Sequence, residues 1–149
     1  MRIYVLDGDP EALARTAGLL GSYPYVKLVG SSSDPSVGLN EAIRLAPDVL
    51  FVDTHLGSLS GLAASDRLKR ELPRLHVVYV TESREYAVEA FEQGAFDYLI
   101  KPLLRERLER TLGRMKLFCG GSFSGNGKLD LPDISHLRQD GGNDGCGQC

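Results

Sequence analysis

At 149 residues, with 42% hydrophobic and 25% charged side chains, the chain is long enough for one globular domain and at most a tail beside it. Its net charge of −3 excludes nucleic-acid binding driven by overall charge. No apolar run has the length of a membrane span, and "RIYVL" is cut short by Asp7 too early for a secretory signal, so a cytoplasmic protein without membrane contact is expected.

The first predicted strand, Ile3–Leu6, runs into "DGDPEAL", where Asp7 and Asp9 flank Gly8. Asp9 before Pro10 reads as a helix start, because the carboxylate accepts from orphan amides and proline suits the first helical position. A second strand is predicted over Val26–Val29, and Asp34-Pro35 repeats the start motif ahead of "SVGLNEAIRL". The third strand, Val49–Val52, ends at Asp53. Leu68 and Leu72 share one face of a third helix that Pro73 closes. The fourth strand, Val77–Val80, ends at Thr81. Tyr86, Ala87, Ala90 and Phe91 make the apolar stripe of a fourth helix that Gly94 terminates. The fifth strand, Tyr98–Ile100, ends at Lys101. A fifth helix buries Leu104, Leu108, Thr111, Leu112 and Met115, while Arg105, Arg107, Arg110 and Arg114 join Glu106 and Glu109 on a solvated face.

The composition divides the chain into a folded unit, residues 1–118, and a segment of residues 119–149 that holds eight of the 17 glycines and is expected to be a disordered tail. All three cysteines, Cys119, Cys146 and Cys149, fall in that segment. An odd count outside the folded unit argues against a disulfide framework, and one C-x-x-C is only half a zinc site, so the cysteines read as incidental.

Five apolar strands alternating with helices predict a (βα)5 unit, a parallel sheet covered on both faces. The flavodoxin-like order 2-1-3-4-5 follows as the expected topology, with ligands bound at the carboxyl ends of the strands. Asp7, Asp9, Asp53, Thr81 and Lys101 gather at that edge. Carboxylates this close repel one another, so a cation or a raised pKa must relieve them. Lys101 supplies one positive charge, and Mg2+ suits the remainder because it takes one or two carboxylates, keeps waters and shares a phosphate. Beside such charges a carboxylate is a competent nucleophile toward phosphorus.

These residues resemble the receiver (chemotaxis-regulator-like) domains of bacterial response regulators over residues 2–116. "PDVLFVDTHLGSLSGL" resembles the phosphoacceptor segment, with Asp53 as acceptor and Gly61 as the loop glycine. "HVVYVTES" resembles the strand that ends in the switch Thr81. "GAFDYLIKPL" is similar to the segment with the switch aromatic Tyr98, then Lys101 and a cis-bonded Pro102. "REYAVEAFEQGAFDYLIKP" is most similar to the branch that usually carries a LytTR DNA-binding domain. The resemblance implies a domain that takes a phosphoryl group from a sensor histidine kinase, not a turnover enzyme. It implies Mg2+ held by Asp7, Asp53, the backbone carbonyl of His55 and, as an additional ligand, Asp9. It also implies that Thr81 moves inward on phosphorylation, that the Tyr98 ring rotates into the vacated space, and that the face of the fourth helix, fifth strand and fifth helix serves a homodimer. No direct DNA binding by this chain is expected, since residues 119–149 are too few and too polar to bury a further domain.

Three positions depart from the family pattern. Gly8 replaces the second of two adjacent acids, a direct metal ligand; Gly57-Ser58 replaces Pro-Gly; and Glu82 stands where a small residue is usual. They keep open a second reading, a pseudo-receiver that acts as a phosphorylation-independent interaction module. In that reading Asp9 serves only as a helix cap. A dehalogenase-type phosphatase, which also uses D-x-D, ranks below both. Glu11 stands where that family has Thr or Val, and "KPLLRERLERTL" lacks its late acidic pair.

Overall fold

The computed structural model of the chain describes residues 1–119. Of the expected tail, Cys119 is the last residue of the final helix, and residues 120–149 with the Cys146–Cys149 pair lie outside the described residues. The elements are β1 (Arg2–Leu6), α1 (Pro10–Leu20), β2 (Lys27–Ser32), α2 (Pro35–Leu45), β3 (Val49–Val52), α3 (Gly61–Glu71), β4 (His76–Thr81), α4 (Ala87–Glu92), β5 (Asp97–Ile100) and α5 (Arg105–Cys119). Every strand pair is parallel and the order is β2-β1-β3-β4-β5, as the alternating pattern predicts. The fold is a flavodoxin-like three-layer sandwich.

Alternation along each strand explains why the strands are apolar almost throughout. Tyr4, Leu6, Leu50, Val52, Tyr79 and Tyr98 face one layer, where they meet Leu39, Ala42, Leu68 and Ala90 from α2, α3 and α4. Ile3, Val5, Phe51, Val78, Val80 and Leu99 face the other, against Leu20 of α1 and Leu108, Leu112 and Met115 of α5. A strand buried on both sides has no polar face to show.

Asp9 caps α1 by accepting from the Glu11 amide at 3.0 Å, and Asp34 caps α2 by accepting from the Ser36 and Val37 amides. β1 and β5 begin one residue earlier than predicted, β4 extends by one residue at each end, and three further differences concern β2, α4 and α5. β2 begins one residue later than predicted and runs on through Gly30, Ser31 and Ser32. As an edge strand its extent is set by pairing with Tyr4, Val5 and Leu6 of β1, not by its own hydrophobicity. Gly30 suits that pairing, since a Cβ there would lie 2.8 Å from the Tyr4 ring. Tyr86 stands just before α4 as its N-cap residue. Leu104 precedes α5 and is 61% exposed, so it does not belong to the buried stripe.

The arginines of α5 are not all on a solvated face. Asp97, fully buried at the start of β5, accepts at Oδ1 from its neighbour's Tyr98 amide (2.8 Å) and from Arg107 Nη2 (2.9 Å). Its Oδ2 accepts from the Thr111 hydroxyl (2.7 Å) and faces Arg114 Nη1 at 3.5 Å. Arg114 also lies over the Phe96 ring, 4.6 Å from its centroid. The expectation for Arg107 and Arg114 fails because a helix pattern does not reveal a charge on the neighbouring strand. Removing one partner from a buried ion pair strands the other, a loss of about 3–5 kcal/mol. Asp97→Ala is therefore expected to lower unfolding stability by about that amount in urea titration. A loss within ~0.5 kcal/mol, the usual range for a surface substitution, would show that the network does not anchor α5.

Candidate functional site

Four strand ends supply the site. Asp7 follows β1, Asp53 follows β3, Thr81 ends β4 and Lys101 follows β5. The Lys101 amide donates to the Thr81 carbonyl at 2.8 Å, continuing the β4–β5 ladder to the residue that carries the ammonium. Lys101 Nζ then reaches both carboxylates, 3.0 Å from Asp7 Oδ2 and 2.7 Å from Asp53 Oδ2. The outer oxygens accept backbone amides. Asp7 Oδ1 takes the Asp9 N–H at 2.9 Å and Asp53 Oδ1 takes the His55 N–H at 3.0 Å.

Burial sets the electrostatics. Desolvation raises the Asp7 pKa above its ordinary 3.8, outweighing the Asp9 amide and Lys101, which pull it down. Burial acts to lower the Lys101 pKa, but hydrogen bonds and charge from Asp53 and Asp7 outweigh it and the net shift is upward. The three groups bind as a unit, one ammonium across two carboxylates.

They line a cleft of about 300 Å³ with Asp9, His55, Thr81, Glu82 and Ser83. A larger groove of about 730 Å³ adjoins it between α1 and the loop before α5. Its walls include Arg15, Glu82, Lys101 and Arg105 but no pair of carboxylates, which only the smaller cleft provides.

The loop after β3 is folded back tightly. The Gly61 amide donates to the Thr54 carbonyl at 2.7 Å, and a Cβ on Gly61 would collide with the Asp53 carbonyl oxygen. Only glycine permits this approach. Ser60, which the sequence pattern does not single out, caps α3 by accepting from the Leu62 and Ala63 amides.

Thr81 and Tyr98 occupy the positions expected of them, with two additions. The Tyr98 ring is fully buried already, and its hydroxyl donates to the Ser83 carbonyl at 2.6 Å. Burial raises its pKa to about 12. The Ser83 carbonyl holds the ring inward in this structure. Thr81 Oγ1 lies 2.8 Å from Thr54 Oγ1 and accepts from the Ser83 amide at 3.3 Å. Thr54 escapes a reading of the sequence because a β-branched residue at a strand end looks like ordinary strand. Cross-strand register reveals it: Val52 pairs with Tyr79, so two residues further Thr54 stands opposite Thr81. The Lys101–Pro102 bond is cis, as the resemblance implies.

The response regulator receiver domain pattern matches residues 3–112. The chain belongs to the response regulator receiver family. Phosphorylation on an aspartate and Mg2+ binding are typical of that family, whose members interact with sensor histidine kinases and generally are not enzymes. This receiver is 36% identical over 116 residues to the transcriptional regulatory protein BtsR of Escherichia coli (strain K12), a match over 78% of this chain and 48% of that protein. It is 37% identical over 112 residues to an uncharacterized response regulatory protein of Vibrio cholerae, over 74% of this chain and 46% of the relative. The chain thus spans about half the length of the curated relatives it matches. The crystal structure of the response regulatory domain of mrkE from Klebsiella pneumoniae is similar, with a TM-score of 0.73, 26% identity and coverage of 79% of this chain and 97% of that one. The receiver domain of AraT from Geobacillus stearothermophilus gives a TM-score of 0.71 at 26% identity, over 80% and 95% of the two chains. No helix among the described residues is long and apolar enough to cross a membrane.

The donor set suits a sparingly ligated ion. Among the described residues no group of three or more His, Cys, Asp or Glu side chains is placed to hold a metal. Asp7 and Asp53 supply two carboxylates, and Mg2+ takes one or two with water and phosphate oxygens completing its shell. Asp9 lines the cleft but is engaged as the α1 cap.

The raised Asp7 pKa has a consequence for stability. In the window just above 3.8, the folded chain binds a proton at Asp7 more readily than the unfolded chain does. Stability therefore falls as pH rises through that window. Asp7→Asn removes this titration, so its melting temperature is expected to decline less steeply with rising pH through that window than the wild type's does. Parallel pH profiles by calorimetry in metal-free buffer check this.

Proposed function

We propose that this receiver accepts a phosphoryl group on Asp53 from a sensor histidine kinase. The observation that carries the reading is the Lys101 ammonium held across Asp7 and Asp53 at the carboxyl edge of the sheet. An Asp53 oxygen attacks phosphorus as the phosphorus–nitrogen bond of a phosphohistidine breaks, the imidazole leaves, and Lys101 follows the charge onto the phosphoryl oxygens. Thr81 offers a hydroxyl to the same group. Mg2+ would be held by Asp7, Asp53 and the His55 carbonyl, with Asp9 as an additional ligand if it leaves its cap, and would neutralise charge on the transferring group. The activity is confined to self-phosphorylation and self-dephosphorylation, in the cytoplasm.

The face of α4, β5 and α5 is the proposed output surface and homodimer contact. Val88 of α4 is 71% exposed and Leu104, just before α5, is 61% exposed, so apolar area is available on that side. The relative named a transcriptional regulatory protein supports an output in transcription, delivered by something other than direct DNA contact from this domain. One observation favours the pseudo-receiver instead. Gly8 contributes no carboxylate, and Asp9 is committed to α1.

Acetyl phosphate with Mg2+ is expected to add one phosphate to the wild type, read by intact mass, and none to Asp53→Asn. Equal uptake by both would move the acceptor elsewhere. No uptake by the wild type at any Mg2+ concentration would leave the pseudo-receiver.

Metal affinity is expected to be weak for want of the second acid. A Cβ on Gly8 would sit 3.3 Å from the Leu56 backbone, tight enough that the loop must yield slightly. Gly8→Asp should therefore tighten Mg2+ binding in calorimetry while lowering the melting temperature modestly. An unchanged affinity would mean that Asp9 already serves the ion.

A further inference from the structure

Thr54 is a buried polar side chain next to the acceptor that the proposed chemistry leaves unused. It is 2% exposed, and its hydroxyl is 2.8 Å from Thr81 Oγ1, 3.5 Å from Asp53 Oδ1 and 3.1 Å from His55 Nδ1. A hydroxyl carries a single hydrogen. The Asp53 carboxylate is an acceptor only, and so is His55 Nδ1 when the ring's hydrogen sits on Nε2, so both draw the Thr54 hydrogen to the acceptor side. The bond between the two threonines then uses the hydrogen of Thr81. Thr81 already accepts the Ser83 amide at 3.3 Å, and the Ser83 carbonyl holds the Tyr98 hydroxyl at 2.6 Å. One polar chain therefore runs from Asp53 through Thr54, Thr81 and Ser83 to Tyr98.

We propose that Thr54 is a positioning residue, a latch whose hydroxyl holds Thr81 and the following loop in the resting arrangement until a phosphoryl group on Asp53 takes the Thr81 hydrogen away. The inference rests on the phosphoacceptor reading of Asp53. A phosphoryl group shifts the equilibrium only by its differential interaction with the two arrangements. It replaces a bond between neutral hydroxyls with a charge-assisted one, and the exchange releases Ser83 and with it the anchor of Tyr98. The movement lies in the β4–α4 loop, since the Tyr98 ring is already inside.

Removing the latch should tip the resting protein part-way toward the phosphorylated arrangement, by about fivefold in the ratio of the two for one neutral hydrogen bond. The experiment uses the full chain and follows the amide resonances of Ser83 and Tyr98, before and after treatment with acetyl phosphate and Mg2+. Without phosphate, Thr54→Val should move both resonances along the line joining resting and phosphorylated wild type. Thr54→Ser, which keeps the hydroxyl, should restore the wild-type position. In a Thr81→Ala background, Thr54→Val should add nothing further. A Thr54→Val protein whose resonances coincide with wild type would overturn the latch. So would a displacement of equal size in the Thr81→Ala background, which would mark Thr54 as packing only. Intact mass of the wild type separates the two levels. Phosphate uptake with no latch effect rejects the latch alone, whereas no uptake rejects the acceptor reading and the latch with it.

Discussion

An ammonium shared by two buried carboxylates is the constraint on which the site depends. Lys101 lies 3.0 Å from Asp7 and 2.7 Å from Asp53, and these three residues close the ends of β5, β1 and β3. Neither carboxylate is well placed for burial alone, and removing either would leave the ammonium with half its compensation. The alternation of the strands demands this arrangement. β1, β3 and β5 end their apolar runs at the same edge, and the first residue past each run, Asp7, Asp53 and Lys101, carries charge. Parallel pairing then brings those residues together without any loop having to reach for them.

The opposite end of β5 shows the same principle used for anchorage. Asp97 gathers a backbone amide, Thr111 and two arginines from α5, so the helix is tied to the strand by charge at one end and by Leu108, Leu112 and Met115 along its length. Between the two ends of the strand lies Tyr98, packed against Tyr79 and Phe91. A strand fixed at Asp97 and at Lys101 has little freedom to move as a body. The loop after β4 links the cleft to that strand, since Thr81 accepts the Ser83 amide and the Ser83 carbonyl accepts the Tyr98 hydroxyl. Val88 and Leu104 stand exposed on the side of the molecule that α4 and α5 form, beyond that loop.

Much of this was legible beforehand. Five apolar runs with helix starts between them determine a doubly covered parallel sheet, because a strand without a polar face must be buried on both sides. The residues that end those runs, Asp7, Asp53, Thr81 and Lys101, are the ones the cleft collects. Asp-Pro at the starts of α1 and α2 reads as a cap because the chemistry is local, involving amides two or three residues away. Gly61 was legible only as a motif position; the reason for it, the approach of its backbone to the Asp53 carbonyl, is tertiary.

What the sequence left undetermined involves partners distant along the chain. The extent of β2 was decided by β1, since an edge strand follows its neighbour's register. Arg107 and Arg114 looked solvated because helix periodicity sees only its own face, and Asp97 approaches from another element. The Tyr98 ring could be given a position along β5 but not an orientation, which the Ser83 carbonyl supplies. Thr54 was invisible for the same reason. Its neighbours in sequence say only that it ends a strand, while the register of β3 against β4 puts its hydroxyl on Thr81. Local chemistry and periodicity are carried by adjacent residues, and so the sequence determined the elements, the edge and the charged constellation. Hydrogen bonds across strands and ion pairs between a helix and a strand depend on distances that only the packed chain creates, and these decided how the site is held.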